Sequence, residues 1–199
     1  MSGNYNRKDS YYEKAKEEGR RSRAFYKLQD IQKKFSIFKN GSKVIDLGAW
    51  PGGWTECALE YVGNNGLVTA IDLKRPDDFN SSNVHIIEGD AREDAVINEA
   101  LEVAKGEYDV LISDMSPKLT GIKEADRWAA VGLLELALWA SGRLLKPGGS
   151  FVAKAFKSNE SEEFYRNARL SFNKLTREQL KSSRKTSTEF YIVGLGFKK

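Results

Sequence analysis

Cysteine and histidine are almost missing from this sequence, which holds one of each, Cys57 and His85. A lone thiol excludes an intramolecular disulfide, and a lone histidine leaves no His/Cys set for zinc, so no metal is expected. Long apolar runs are also missing. No stretch approaches the roughly 18 continuous apolar residues of a membrane span, and the opening "MSGNYNRKDSYYEKAKEEGRRSR" lacks the apolar core of a secretory signal. No membrane partner and a cytoplasmic location are therefore expected. Proline is scarce, four in 199 residues, and no Pro/Gly/Ser linker, repeat or low-complexity segment divides the chain. With 40% apolar and 30% charged residues, a single globular domain over 1–199, acting as a monomer, is the expectation. Two ligand fingerprints are absent as well. Gly48 to Gly53 reads G-x-x-x-G-G with Pro51 inside it, which is neither the dinucleotide pattern G-x-G-x-x-G nor a P-loop, since no G-K-[ST] follows.

What is present begins with uneven charge. The chain carries a net +4, yet residues 1–39 alone hold eleven Lys/Arg against five Asp/Glu, so the remainder is slightly acidic. A second basic excess runs from Arg166 to Lys185, with only Glu178 opposing it. Aromatics are interleaved with the first segment (Tyr5, Tyr11, Tyr12, Phe25, Tyr26). That mixture suits contact with phosphates and bases, so 1–39 reads as a basic RNA-binding arm, although a solvated charged face would share its composition.

Strand-like and helix-like segments alternate. Apolar, β-branched runs occur at "KVIDLGA", "LVTAIDL", "NVHIIEGD", "YDVLISDMS", "GSFVAKAF" and "EFYIVGLGF". Helical periodicity fills the gaps, most clearly in "ADRWAAVGLLELALWASGRLL" ahead of the stop signal "KPGG". This is an α/β pattern with a mainly parallel sheet. The segment 173–180 reads as one more strand, in a hairpin with the last. Four strands end on an acid or on an acid and a turn: Asp46, Asp72, Asp90 and Asp114. Ligands of open α/β sheets bind beyond the carboxyl ends of the strands. Any one of these acids alone reads as a turn or cap residue; four together mark a rim.

The turn "VIDLGAWPGGW" follows the first strand and opens a helix, so a ligand is expected against bare backbone at Gly48, Gly52 and Gly53 and at the helix entry, Trp54. Asp72 is placed to grip ribose hydroxyls, and Asp90 in "EGDAR" to accept from an adenine amino group. The glycines leave room for an amino-acid moiety. Adenosine joined to an amino acid is S-adenosylmethionine, AdoMet, the expected cofactor.

The segments "RSRAFYKLQDI", "DLGAWPGGW", "AIDL", "GDAR", "SDMSPKLTG", "FVAKAF" and "EFYIVGLG", in this order and spacing, resemble the RrmJ/FtsJ family of ribose 2′-O-methyltransferases from about Arg21 to the end of the chain. The resemblance implies a Rossmann-like, seven-stranded AdoMet-dependent methyltransferase fold with the last strand antiparallel. It implies a catalytic tetrad at Lys27, Asp114, Lys154 and Glu189, with the 2′-hydroxyl of a large-subunit ribosomal RNA ribose, a uridine of 23S-type RNA, as acceptor. Related members modify tRNA or mRNA caps. The ribosomal RNA or large ribosomal subunit is the implied partner, with Arg20, Arg21, Arg23, Lys27 and Lys118 as RNA contacts. Two positions depart from the pattern: Trp50 stands where a small residue is usual, and Lys118 where an Asn is common.

The chemistry is coherent on the residues themselves. A 2′-hydroxyl is a poor nucleophile at neutral pH, whereas the sulfonium already activates the methyl group, so the protein must align a displacement and remove one proton. With the only histidine inside "VHII", Lys154 is the candidate proton acceptor. Its free pKa of about 10.4 is too high unless burial or a neighbouring cation such as Lys27 lowers it, and Asp114 and Glu189 act in the opposite direction. Base and hydroxyl-orienting group are both open roles for Lys154. A small-molecule methyltransferase would share the glycine turn and Asp72 without needing the basic segments. A catalytically idle RNA-binding assembly factor would keep the basic segments without needing the tetrad.

Overall fold

The computed structural model describes residues 10–180, 182 and 188–199; Tyr5, Lys181, Arg184 and Lys185 of the basic segments lie outside them. Seven strands, β1 Lys43–Leu47, β2 Leu67–Asp72, β3 Val84–Glu88, β4 Tyr108–Ser113, β5 Leu145–Phe156, β6 Phe172–Glu178 and β7 Glu189–Phe197, form one sheet in the order β3-β2-β1-β4-β5-β7-β6. β1 to β5 pair in parallel, and β7 runs antiparallel between β5 and β6. The strand order reverses between β1 and β4, and the carboxyl ends that flank such a reversal form a ligand crevice.

The helices are α1 Ser10–Glu17, α2 Ala24–Phe35, α3 Gly53–Val62, α4 Asp94–Ala104, α5 Lys123–Leu144 and α6 Asn159–Ala168. They cover both faces of the sheet, so the central strands are buried on both sides and read as continuous apolar runs. Successive side chains of a strand point to opposite faces. Val44, Val68, Val110, Ile112 and Val152 accordingly join the core under α2 and α3, while Ile45, Leu47, Leu111, Phe151 and Ala153 join the one under α4, α5 and α6.

Two sequence expectations change at the elements. "KPGG" does not separate helix from strand. Leu145, directly after α5, already pairs with Tyr108, and the register shifts before Ser150 meets Val110, so "KPGG" is an irregular stretch inside β5. The second change concerns the basic arm. Within residues 10–35, α2 packs against α3 and α1 lies on α2, with Tyr11 5.6 Å from Tyr26, and Arg20 and Arg21 between the two helices are bound to the chain itself. The Arg20 guanidinium pairs with Glu56 and Glu60 and lies 4.0 Å from the Phe25 ring centroid. Those two carboxylates hold its pKa above the ordinary arginine value against the opposing effect of burial. Arg21 donates to the carbonyls of Asp77 and Asp78 at 2.9 and 2.6 Å and stacks over Phe79. Both side chains tie the segment between α1 and α2 to α3 and to the stretch after β2.

Candidate functional site

Lys154 lies opposite Tyr191 in the β5–β7 ladder, and Glu189 is two residues from Tyr191 on the same face of β7. That is the face covered by α2, from which Lys27 projects. The pairing therefore gathers residues 27, 154, 189 and 191 at one place, and Asp114 joins them from the end of β4. Lys27 Nζ donates to Glu189 Oε1 at 2.7 Å, with both side chains largely shielded from water. Lys154 Nζ donates to the main-chain oxygen of Asp114 at 2.6 Å and sits 3.2 Å from Asp114 Oδ1. The two ion pairs are linked by Tyr191, whose hydroxyl lies 3.1 Å from Asp114 Oδ1 and 3.2 Å from Glu189 Oε1. Burial and the two facing carboxylates push the Tyr191 hydroxyl well above its ordinary pKa, so it stays a proton donor.

The position of Tyr191 two residues after Glu189 carried the signal in the sequence, since a strand period of two places both on one face. What remained invisible was the carboxylate on each side of its hydroxyl. Trp54 completes the packing: its indole lies 5.6 Å from the Tyr191 ring, and Nε1 donates to the Ala24 carbonyl at 3.0 Å.

A cleft of about 800 Å³ opens along the carboxyl ends of the strands, from Gly89, Asp90 and Arg92 after β3, past Asp72, to Asp114 and Lys154. At about 4.8 Å between neighbouring strands, the five strand ends from β3 to β5 span roughly 19 Å. Gly48 lines this cleft at φ +77°, and a Cβ there would stand 2.4 Å from Met115 Cγ. Asp72 turns one oxygen to the Trp50 N–H at 2.9 Å and the other to the Lys74 N–H at 2.9 Å, which fixes the carboxylate at the end of β2. The Asp90 carboxylate is held by the guanidinium of Arg92, which lowers its pKa. Ile71, Ala91, Met115, Leu133 and Leu136 supply apolar walls.

The rest of the glycine turn also lies close to protein. A Cβ on Gly52 would stand 2.8 Å from Arg21 Cδ and from Phe79 Cζ, and one on Gly53 would stand 2.1 Å from Ser22 Oγ. The close approach at Gly53 is made by Ser22 and at Gly52 by Arg21 and Phe79, so neither glycine has room for a side chain. The Trp54 side chain is buried, and Gly48, Asp72, Asp90 and Asp114 line the cleft. Trp50 lines the cleft beside Asp72, half exposed, with Lys74 Nζ 3.9 Å from its ring centroid. Lys118 is exposed on the segment between β4 and α5. Arg23 lies at the other side of the tetrad, facing a second cavity that Glu189 also lines.

Asp46 lies beneath the rim, fully buried in β1. Its Oδ2 accepts from the Thr55 hydroxyl at 2.6 Å, and its Oδ1 has no partner. Burial pushes its pKa up to about 7, the Thr55 hydrogen bond opposes that, and the Asp114 and Asp72 charges add to it. This folded value stands above the 3.8 of a free aspartate, so between those pH values the folded state binds more protons than the unfolded state. The contribution of Asp46 to stability is then greatest below about pH 4 and is lost as pH rises to about 7. Three pKa units correspond to about 4 kcal/mol. Asp46→Asn removes this titration, and urea denaturation at the two ends of the range should show wild type losing on the order of 3–4 kcal/mol relative to the variant. A constant difference would mean that Asp46 stays ionised in its buried site.

Among the described residues no group of three or more His, Cys, Asp or Glu is placed to hold a metal, and no helix is long and apolar enough to cross a membrane.

Comparison with known proteins bears on this geometry. Residues 20–197 match the family model described as FtsJ-like methyltransferase. A protein of Methanothermobacter thermautotrophicus named ribosomal RNA large subunit methyltransferase E is 42% identical over 96% of this chain and 91% of its own length. A protein of the same name from Pseudomonas aeruginosa is 41% identical over 96% and 91%. Among solved structures, a ribosomal RNA methyltransferase from Plasmodium falciparum superposes with a TM-score of 0.76 at 24% identity, covering 89% of this chain and 98% of that one, which is a likeness of fold.

Proposed function

Because this chain belongs to the FtsJ-like methyltransferase family, we propose that it transfers a methyl group from AdoMet to a ribose 2′-hydroxyl of large-subunit ribosomal RNA, acting as a single chain. The observation that carries the reading is the tetrad itself: two buried lysines, each paired to a carboxylate, at one end of a cleft of nucleoside dimensions. The names borne by relatives about 40% identical over nearly their full length support the choice of acceptor.

The residues of the cleft fit AdoMet. Apolar walls at Ile71 and Ala91 suit an adenine, Asp72 suits ribose hydroxyls, and Asp90 faces the adenine end. Asp114 and Asp72 lie close enough to Asp46 to raise its pKa, and such a field favours a ligand bearing a cationic ammonium and sulfonium. Asp46 Oδ1, buried and without a partner, is a polar group that calls for a donor. When bound, AdoMet supplies a methyl group already activated for displacement.

The chain's own part is alignment and proton handling. Asp114 occupies two of the tetrahedral positions around Lys154 Nζ, one with its main-chain oxygen and one with Oδ1. The next position holds the third proton of an ammonium or the lone pair of an amine. An ammonium there donates to the 2′-oxygen and orients it; an amine accepts the 2′-proton as the oxygen attacks. Lys27, fixed by Glu189, adds positive charge where the oxygen becomes negative. Holding the reacting atoms about 3–3.5 Å apart supplies up to roughly 7–11 kcal/mol of the barrier reduction.

The test is transfer of labelled methyl from AdoMet to unmethylated large ribosomal subunits, with the product ribose mapped by mass spectrometry. Label should enter a 2′-O-methyl nucleoside, and an acceptor with 2′-deoxyribose at that position should take none. Label on the deoxy acceptor would move the reaction to a base.

A further inference from the structure

The tetrad stands in a wall between two cavities. Lys154 and Asp114 line the cofactor-sized cleft; Glu189 lines a second cavity of about 500 Å³, and Ser116 belongs to both. In an in-line displacement the acceptor approaches the methyl group from the side opposite the donor, so whatever is methylated comes from the second cavity. One wall is apolar, made by Pro117 and Leu119 after β4, Ala130, Val131 and Leu134 of α5, and Phe156 at the end of β5, while Ser116, Ser158, Thr188 and the carboxylates of Asp126 and Glu189 make the rest polar. Three cations border it: Arg23 from the segment before α2, Lys157 just after β5, whose Nζ lies 3.4 Å from Gln179 Oε1, and Arg127, 3.3 Å from Glu160. A hollow of this volume with an apolar wall and a few polar groups is ordinary for a small planar ligand, and cations at its mouth suit the phosphates on either side of a nucleoside.

We infer that this second cavity receives the base of the nucleotide whose ribose is methylated, with Arg23 and Lys157 reaching its flanking phosphates. The inference rests on the ribose-methylation reading and adds where the acceptor base goes. Recognition of RNA by splayed-out bases in apolar or aromatic pockets is common, because an unstacked base exposes its faces. Here the base is inserted between the Pro117–Leu119 segment and α5, which leaves the ribose at the wall and its 2′-oxygen toward Lys154. A third hollow, which shares Lys157 and Ser158 with the second and continues past Arg177 and Phe190, accommodates the adjoining nucleotide along the same path.

Ala130→Phe fills the second cavity from α5, at a position outside the tetrad that does not line the cofactor-sized cleft. With unmethylated large ribosomal subunits as acceptor, this variant should raise the acceptor KM at least tenfold, leave the AdoMet Kd within twofold, and unfold at the wild-type temperature. Lys157→Ala, at an exposed position, should weaken binding of a fluorescent single-stranded oligouridylate and reduce the slope of log affinity against log salt by about 0.7. Ala130→Phe should weaken the same binding with the slope unchanged. A folded Ala130→Phe protein with wild-type acceptor KM and oligouridylate affinity would overturn the pocket while leaving ribose methylation standing. Failure of the unaltered protein to methylate any ribose would overturn the function, and oligouridylate binding by the two variants would still decide the pocket.

Discussion

Lys154→Ala is expected to bind AdoMet with near-normal affinity and to lose about a hundred- to ten-thousandfold of its single-turnover methyl transfer, the usual range for a lost general acid or base. The loss arises in the chemical step because Lys154 stands at the tetrad end of the cleft, at β5, whereas Asp72 and Asp90 lie at the ends of β2 and β3. Its removal frees the Asp114 main-chain oxygen and leaves Asp114 Oδ1 with the Tyr191 hydroxyl as its remaining partner. Asp114 is partly exposed, so water can replace what is lost and the fold should survive.

The same position separates base from orienting cation. Arginine retains the charge and a donor but does not give up a proton near neutral pH. If Lys154→Arg is as slow as Lys154→Ala, proton removal is the role; substantial recovery assigns orientation. Wild-type transfer by Lys154→Ala would remove this residue from the chemistry.

Much of this arrangement is legible in the sequence, and the reasons differ by feature. The strands are visible because a parallel sheet covered on both faces demands continuous apolar runs, and the rim is visible because Asp72, Asp90 and Asp114 follow those runs directly. Lys154 is conspicuous as a charge between the apolar "FVA" and "AF". Local sequence is silent about partners far apart in the chain. The glycine turn reads as a ligand cradle in the sequence, and only the fold reveals that Ser22, Arg21 and Phe79 crowd the positions a side chain at Gly52 or Gly53 would need. A basic segment likewise has the same composition whether its arginines meet phosphates or, as with Arg20, Glu56 and Glu60 on α3.

The largest effect on stability is expected from separating Lys27 and Glu189. Both side chains are largely buried, at 6% and 12% exposure, and their 2.7 Å contact joins α2 to β7. Removing one partner of a buried pair leaves an uncompensated charge, which costs about 3–5 kcal/mol. For a chain of this size that lowers Tm by roughly 6–20 °C. Glu189→Ala should therefore melt well below wild type, and Lys27→Met should fall by less, because Glu189 keeps the Tyr191 hydroxyl and is somewhat more exposed. The double variant Lys27→Met/Glu189→Leu replaces the pair with apolar groups of similar size, a change that often costs little because the desolvation of both charges is relieved. It should recover most of the lost Tm. It should not recover methyl transfer, since it lacks both the Lys27 charge that faces the developing oxyanion and the carboxylate that holds it. Calorimetric melting beside single-turnover transfer reads the two properties separately. A double variant that regains both Tm and transfer would make the pair a structural clasp between α2 and β7 and leave the chemistry to Lys154 and Asp114.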